Sequence, residues 1–355
     1  MSISNSFKFL LLMQEKGEFY TGLGDSYIRA FNKSGVNFTI YNLSPDSFNR
    51  YQIRLGKFFN SVEDYAVKKL NKGLIDYIEQ EEKPNAILVI KGTYLSPDSL
   101  RYIKQRYPDI VILCFHPDDP FSPNRGASND RIRESISLYD VYLIWSKTLI
   151  PKLKEHGAKD AIFLPFAADP EIICPVTLSS DDRLNFDCDV CFIGDGDEER
   201  EAWVNNIGKV LHDNNCDFNL RVYGALWKKI NHNVELKSKA LNLDLLKAFS
   251  GGKINLNILR LQNKFSHNMR TFEIPASHGF MLHESSEEAM DFFEEGKEAE
   301  YFSTPEELLD KLKFYLKNDD LREKIASAAY EKIFKMDYTY DNNVKQILNI
   351  ATKKL

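Results

Sequence analysis

AILVI (86–90) and VILCF (111–115) are two short apolar runs separated by a mainly polar stretch of chain. Neither run alternates between apolar and polar residues, and continuous runs of this length are typical of parallel strands buried on both faces. The pattern recurs in three further runs, FKFLLLM (7–13), NFTIYNL (37–43) and VYLIW (141–145). Amphipathic stretches at about 25–33 and 62–80 lie between them. This strand–helix alternation predicts a doubly wound parallel sheet.

A second set of strands follows a polar segment that carries a proline and lacks periodicity. Its members are DVCFIG (189–194), NLRVYG (219–224), KINLNIL (253–259) and FMLHE (280–284). From Pro305 onward the spacing becomes helical, and Thr304 and Pro305 supply a capped helix start. We therefore predict an N-terminal domain (1–172), a linker (173–187), a C-terminal domain (188–335) and a helical tail (336–355) that packs back on the first domain.

The composition narrows the class of protein. The chain has 355 residues, of which 43% are hydrophobic and 28% charged, and its net charge is -6. Two folded domains fit this length, and the negative charge disfavours a nucleic-acid partner. Five cysteines at irregular spacing indicate a reducing compartment. The apolar run near the N-terminus fits a buried strand better than a secretory signal or a membrane span. We therefore predict a cytoplasmic protein with at most peripheral membrane association.

The segment NMRTFEIPASHGFML (268–282) is the most informative stretch for function. It resembles the donor-site signature of GT-B glycosyltransferases, and more closely that of the spore-maturation CgeB-like family. The residues that carry this resemblance are Arg270, Phe272, Glu273, Ala276, Gly279 and Leu282. Three further segments resemble the same family in the same order: FAADPEI (166–172), DVCFIGDGDEER (189–200) and FFEEGKEAEYFSTPEELLDKLKFYL (292–316).

The resemblance implies a GT-B enzyme with two Rossmann-like domains that face a cleft. Its C-terminal domain would bind a nucleotide-sugar donor, with a uridine diphosphate sugar as the first choice. Its N-terminal domain would bind the acceptor, which could be a glycan, a protein or a small molecule. Such enzymes usually need neither a metal nor a cofactor, because basic side chains and helix N-termini neutralise the leaving diphosphate.

Nine residues are predicted to contact the donor. Glu273 suits the two ribose hydroxyls, because a carboxylate can accept two hydrogen bonds. Arg270 would bind phosphate as a forked donor, with Asn268 and His267 beside it. The remaining candidates lie near the ends of predicted strands, or within the motif: Gly194, Arg200, Gly224, Asn257 and Gly279. The alternatives are ordinary ones, such as a first-turn glutamate, a surface ion pair and turn glycines.

Two loops of the N-terminal half are candidate cleft loops. Gly22 and Gly24 follow the first strand and permit a tight turn into a helix whose amides could face a sugar or phosphate. In CFHPDDPF (114–121), His116, Asp118 or Asp119 could act as general base on the acceptor hydroxyl. The pattern does not choose among these three, and a plain turn is the alternative.

The sequence disfavours two kinds of site and leaves two other functions open. The Gly194-x-Gly196 pair lacks the third glycine of a dinucleotide fingerprint, and acidic residues follow it, so a bound redox cofactor is rejected. Cys188 and Cys191 have no second cysteine pair, so no metal site is expected. A nucleotide-sugar epimerase or hydrolase, or a catalytically silent nucleotide-sugar-binding protein, would carry the same Arg270 and Glu273.

Overall fold

The computed structural model describes residues 7–14, 22–44, 60–124, 126–213, 218–231 and 233–355. Its contacts divide the chain into two compact units. The first unit takes in 7–14, Gly22–Pro165 and Asn343–Leu355, and the second takes in Phe166–Asn342. The last helix, α13 (Tyr340–Lys354), begins in the second unit and ends in the first.

The first unit is built on a parallel sheet of six strands in the order β2-β1-β3-β4-β5-β6. The strands are β1 (Lys8–Met13), β2 (Asn37–Asn42), β3 (Ala86–Ile90), β4 (Val111–His116), β5 (Val141–Ile144) and β6 (Ala161–Phe163). Its described helices are α1 (Leu23–Ser34), α2 (Asn60–Gln80), α3 (Pro97–Arg106), α4 (Asp130–Ser135) and α5 (Leu149–Glu155), with a 3-10 turn at Ile136–Leu138.

The second unit repeats this plan with a six-stranded parallel sheet in the order β12-β11-β10-β7-β8-β9. The strands are β7 (Cys188–Ile193), β8 (Leu220–Tyr223), β9 (Val234–Lys237), β10 (Gly252–Asn257), β11 (Met281–Glu284) and β12 (Glu300–Phe302). Its described helices are α6 (Ser180–Phe186), α7 (Glu198–Asp213), α8 (Leu243–Gly251), α9 (Arg270–Ala276), α10 (Glu287–Phe292), α11 (Pro305–Tyr315) and α12 (Asp319–Lys335), with a 3-10 turn at Leu261–Asn263.

The predicted fold class of two doubly wound parallel sheets with a helical C-terminal segment is confirmed. Every residue of β1, β3 and β4 is buried, as continuous apolar runs require. Three strands were not predicted: β6, β9 and β12. Each has only three or four residues and lies at a sheet edge, and β9 buries only Val234. Strands of three or four residues are too short to show the longer apolar run by which the others were found.

Several predicted boundaries differ from what the chain forms. The polar segment 173–187, predicted as a linker, contains α6, which begins with a capping box between Ser179 and Asp182. This segment belongs to the second unit, within its stretch Phe166–Asn342. The long helical stretch after Pro305 is two helices, α11 and α12. The roles predicted for the two domains stay predictions.

Each sheet has one point where successive strands begin to be added on the opposite side. In the first sheet it lies between β1 and β3, and in the second between β7 and β10. Ligands of doubly wound proteins bind outside the carboxyl ends of the strands at this switch point. The segments that follow β1, β3, β7 and β10 are therefore where a site is expected. Among the described residues, no helix is long and apolar enough to cross a membrane.

The start of α11 gives a test of the local folding argument. Thr304 Oγ1 accepts a hydrogen bond from the amide of Glu307, and Pro305 occupies the first helical position. Thr304→Ala leaves that amide without its capping partner and should lower the free energy of unfolding by about 1 kcal/mol. Thr304→Ser keeps the hydroxyl and serves as the control. Urea unfolding followed by circular dichroism measures both, and equal midpoints for the two variants would contradict the capping role.

Candidate functional site

A buried arginine joins the two loops at the switch point of the second unit. Arg200, in the first turn of α7, donates from Nε and Nη2 to the carbonyl of Ile258 at 3.1 and 2.9 Å. Its Nη1 donates to the carbonyl of Asp195 at 3.0 Å. The guanidinium thus links the chain after β7 to the chain after β10. Burial, and then the nearby charge of Arg260, lower the pKa of Arg200 to about 10, so it remains charged at neutral pH.

The acidic residues that follow β7 serve local structure. Asp197 Oδ1 accepts from the amide of Arg200 at 3.0 Å and caps α7. Asp195 accepts from the amide of Ala225 at 3.0 Å and forms an ion pair with Lys239 at 2.8 Å. Their charges are therefore partly balanced within the fold, so these acidic residues do not by themselves exclude a phosphate from this loop.

Arg270 and Glu273, the two central predictions, lie together on α9. Their side chains form an ion pair, in which Glu273 is 4% exposed and Arg270 is 27% exposed. Arg270 Nε also donates to the carbonyl of Ile193 at 3.3 Å, at the end of β7. Its guanidinium lies over the ring of Phe249, 5.6 Å from the centroid. The pair is thus held at the switch point, with the arginine as its more accessible member.

Arg260 is a site residue that the sequence reasoning missed. It lies three residues beyond β10, its side chain is 42% exposed, and its Nε is 3.6 Å from Asp197. Asp197 joins Arg260 to Arg200, whose Nε lies 3.9 Å from the same carboxylate oxygen. The charges of Arg260 and Arg270 both lower the pKa of Arg200, after the larger effect of burial. Repulsion among them would be relieved by a bound polyanion. A cation directly after the apolar run KINLNIL (253–259) was the available signal.

A buried polar network lies beside these arginines. Asn257 and Asn268 exchange amide hydrogen bonds at 3.1 and 2.8 Å, and Asn257 also donates to Thr271 at 3.2 Å. The side chain of His283 continues the network, with Nε2 2.9 Å from Thr271 Oγ1. The network ties the start of α9 to β10 and β11. The side-chain amide of Asn257, a predicted donor contact, is occupied by this network.

His267 does not lie at the accessible surface, contrary to its predicted phosphate contact. The side chain is fully buried, and its Nε2 accepts from the amide of Phe166 at 3.2 Å. Its Nδ1 lies 3.1 Å from Ser266 Oγ and 3.3 Å from a Glu288 oxygen. Both ring nitrogens therefore have partners inside the second unit, and this arrangement favours a structural role.

Packing explains two of the predicted glycines, and a third lies away from the switch point. A Cβ on Gly224 would overlap the carbonyl oxygen of Gly194, so the two loops approach too closely for a side chain. A Cβ on Gly194 would lie 3.0 Å from the ring of Phe192 and 3.2 Å from Arg200 Nη1. Gly279 precedes β11 and therefore lies at the amino ends of the strands, away from the carboxyl ends where the switch-point residues lie. It lines a separate cavity of about 440 Å³ together with His278 and Arg322. Gly279 is thus not part of the switch-point group.

The predicted glycines of the first unit lie where the chain enters α1. Gly22 has extended backbone with φ -75°, and its carbonyl accepts from the amide of Ser26 at 3.1 Å. A Cβ on Gly24 would overlap the Met13 side chain at the end of β1. Close packing of α1 on β1 therefore accounts for Gly24, and the helix entry itself needs no left-handed residue.

The three predicted general bases have different surroundings. The imidazole of His116 is fully buried, and its nitrogens lie 3.1 Å from the carbonyl oxygens of Lys91 and Ala127. Burial lowers its pKa. Asp119 accepts from the amide of Phe121 at 2.8 Å, as in a turn. Asp118 forms an ion pair with Lys91 at 2.7 Å and stays 23% exposed. His116 is thus inaccessible as a base, whereas Asp118 and Asp119 are both partly exposed. Asp118 is the one that a cation holds in place.

The part of the chain that the structure describes contains no group of three or more His, Cys, Asp or Glu side chains that could hold a metal ion. Cys188 and Cys191 are buried free thiols. The prediction that the reaction needs no metal stays a prediction.

Residues 200–349 match a family model described as glycosyl transferase-like. The matched segment includes Arg200, Arg260, Arg270 and Glu273. No curated protein matches the sequence.

Solved structures match nearly the whole chain. Sucrose-phosphate synthase from Thermosynechococcus elongatus superposes with a TM-score of 0.68 at 9% identity, over 98% of this chain and 100% of that one. The chain has the GT-B fold. The GT-B neighbours also include α,α-trehalose 6-phosphate synthase from Burkholderia multivorans, with a TM-score of 0.67, 13% identity and coverage of 98% and 99%. HepE from Anabaena, in complex with UDP and glucose, superposes with a TM-score of 0.64 at 12% identity, covering 98% and 100%.

The polar network predicts a pH dependence of stability. The carbonyl of Glu284 can only accept, so His283 Nδ1 donates to it and Nε2 accepts from Thr271. Burial lowers the pKa of His283 from 6.5 to about 4. The unfolded chain therefore binds the extra proton first, and stability present above pH 6.5 is lost as the pH falls toward 4. The loss should be of the order of 3 kcal/mol.

His283→Gln removes this titration, although it lowers stability at neutral pH. The free energy of unfolding of the variant should therefore fall less steeply than that of the unmodified chain between pH 6.5 and 4. Urea unfolding at half-unit pH steps measures the two slopes. Parallel curves would contradict the contribution of His283.

Proposed function

We propose that this chain transfers a sugar from a nucleoside diphosphate sugar to an acceptor hydroxyl, with the donor bound at the switch point of the second unit. The observation that carries the proposal is the group of three arginines at this point. Arg200 and Arg260 share the carboxylate of Asp197. Arg270 donates to the carbonyl of Ile193 at the end of β7. The three arginines lie within the segment that matches the glycosyl transferase-like family model. Glu273 lies in the same group, as the partner of Arg270.

The exposure of each residue indicates its role in donor binding. Arg260 and Arg270 reach the surface and are placed to donate charge-assisted hydrogen bonds to diphosphate oxygens. Arg200 is buried, so it acts by its charge and by holding the two loops together. Glu273 would accept ribose hydroxyls while its partner Arg270 turns toward the phosphate. These cations stabilise the leaving diphosphate, the task that a metal ion performs in other enzymes, and the proposal therefore includes no metal.

Support for the donor class comes from the fold neighbours. One of them, HepE, was solved with UDP and with UDP and glucose. We take a uridine diphosphate hexose as the first donor to test. The acceptor is a hydroxyl compound, whether glycan, protein or small molecule, and Asp118 is the candidate to receive its proton. The CgeB-like subfamily and the cytoplasmic location are part of the same proposal.

A thermal-shift screen tests donor binding directly. UDP, GDP and ADP are each added in the presence of EDTA and again with Mg²⁺. A ligand of the native state raises its apparent stability by about 2.7 kcal/mol at a hundredfold excess over the dissociation constant. We expect UDP to raise the midpoint equally in both conditions. A shift that needs Mg²⁺ would contradict metal independence, and no shift with any of the three nucleotides would contradict the proposed donor site.

Arg260→Met tests the role of the exposed cation. Loss of charge-assisted hydrogen bonds costs about 1.5–3 kcal/mol, so the Kd for UDP should rise roughly 10- to 100-fold. Arg183→Met is the matched control, because Arg183 is also an exposed arginine of the second unit in an ion pair, with Asp187 at 3.6 Å. Isothermal titration calorimetry measures both variants. An equal rise of the Kd for UDP in the two variants would mean that Arg260 acts only through the net charge of the protein, and would contradict its direct contact with the diphosphate.

A further inference from the structure

The chain makes a strained turn directly after β3, at the switch point of the first unit. Lys91 has φ 70°, in the left-handed region that non-glycine residues rarely adopt. The amide of Gly92 donates to the carbonyl of Ile90 at 2.9 Å, which closes a γ-turn centred on Lys91. Among the described residues of the first unit, Lys91 is the one non-glycine residue with positive φ. Strain of this kind persists only where the surroundings impose it.

Neighbouring groups contact both the amide and the carbonyl of Lys91, the central residue of the turn. The amide of Lys91 donates to the carbonyl of Phe115 at 2.9 Å. Its carbonyl oxygen lies 3.1 Å from Nδ1 of the buried His116, whose Nε2 lies 3.1 Å from the carbonyl oxygen of Ala127. His116 therefore spans the turn after β3 and the loop after β4. This accounts for a buried histidine that the reaction itself does not need.

Side chains from two helices support the rest of the same loop. The carbonyl of Thr93 accepts from Asn129 Nδ2 at 3.0 Å, and that of Tyr94 accepts from Asn71 Nδ2 at 2.8 Å. Asn71 Oδ1 also accepts from the amide of Ser96 at 2.7 Å. Such support is expected where a side chain must be held in one position.

The side chain that the turn holds in position is that of Lys91. Its Nζ lies 2.7 Å from Asp118 Oδ2, and the two side chains remain 27% and 23% exposed. Lys91 follows β3 and Asp118 lies two residues beyond β4, so both are at the carboxyl edge of the sheet. The ion pair restricts the rotation of the Asp118 carboxylate while leaving it accessible.

We propose that Lys91 and His116 are positioning residues for Asp118 in glycosyl transfer, an inference that rests on the proposed function. His116 holds the γ-turn, the turn holds Lys91, and Lys91 orients the carboxylate. In the reaction the acceptor oxygen bonds to the anomeric carbon and its proton passes to Asp118. The bond from that carbon to the diphosphate breaks, and its electron pair leaves with the nucleoside diphosphate.

The experiment follows release of UDP from UDP-glucose, with water as the acceptor, and measures UDP binding in parallel. Lys91→Met frees the carboxylate, and misplacement of a reacting group by about 1 Å costs roughly 10²-fold in rate. We expect kcat to fall at least tenfold with an unchanged Kd for UDP, and Lys91→Arg to restore part of the rate. Asp118→Asn should lower kcat at least as much. Lys253→Met is the matched control, because Lys253 also pairs with an aspartate, Asp189, at 2.7 Å.

His116→Phe and Lys91→Gly separate positioning from folding. His116→Phe should lose rate as Lys91→Met does, without a change in the Kd for UDP. Lys91→Gly lacks the ammonium but tolerates φ 70°, so it should be as slow as Lys91→Met and have the higher thermal midpoint. Unchanged kcat in Lys91→Met, with a slow Asp118→Asn and an active wild type, would overturn this inference alone. Unchanged kcat in Asp118→Asn would overturn it and would also remove Asp118 as the proton acceptor of the proposed function. A wild type that neither binds UDP nor releases it from UDP-glucose would overturn the proposed function and this inference together.

Discussion

Parallel pairing of β7 with β10 is the constraint on which the candidate site depends. These strands are paired from Gly252 opposite Cys188 to Leu256 opposite Phe192, and the chain adds its later strands on opposite sides of them. Their carboxyl ends therefore meet, but the loops that follow them diverge. The guanidinium of Arg200 fills the space between the loops with hydrogen bonds to Ile258 and Asp195. One buried cation thus organises the place where Arg260 and Arg270 gather.

In the first unit, too, two loops leave neighbouring strands near the switch point, but a different side chain connects them. That switch point lies between β1 and β3, and the chain after β3 turns sharply at Lys91. Here a buried histidine takes the part that Arg200 takes in the second sheet, because the ring nitrogens of His116 also contact carbonyl groups of two loops. In both sheets a polar side chain with little exposure supports a more accessible charged group. This is the arrangement expected when a charged group must be oriented without losing its access to a ligand.

Charge balance accounts for how the second site tolerates its acidic residues. Asp195 and Asp197 hold backbone amides, and Asp195 has Lys239 as a partner. The cations at the switch point are arginines, which keep their charge when buried and can share hydrogen bonds among carbonyl, carboxylate and phosphate acceptors. The ion pair between Arg270 and Glu273 is one such shared arrangement. A lysine in place of Arg200 could not donate from one side chain in the same fork-like geometry to both loops.

The sequence by itself determined the strands, because a run such as AILVI (86–90) is apolar throughout and has only a buried parallel strand to form. It also determined the start of α11 at Thr304 and the pairing of Arg270 with Glu273 on one helix, since these depend on residues three or four positions apart. It did not reveal the edge strands β6, β9 and β12, because three or four residues are too few to show a pattern.

Tertiary structure alone decided which polar residues remain accessible. His116 and His267 were candidates for chemistry until the strands and helices packed around them occupied their ring nitrogens. Arg260 and Lys91 gained their importance from partners distant in sequence, Arg200 and Asp118, because burial, backbone strain and ion-pair distance are set by contacts that local sequence does not encode.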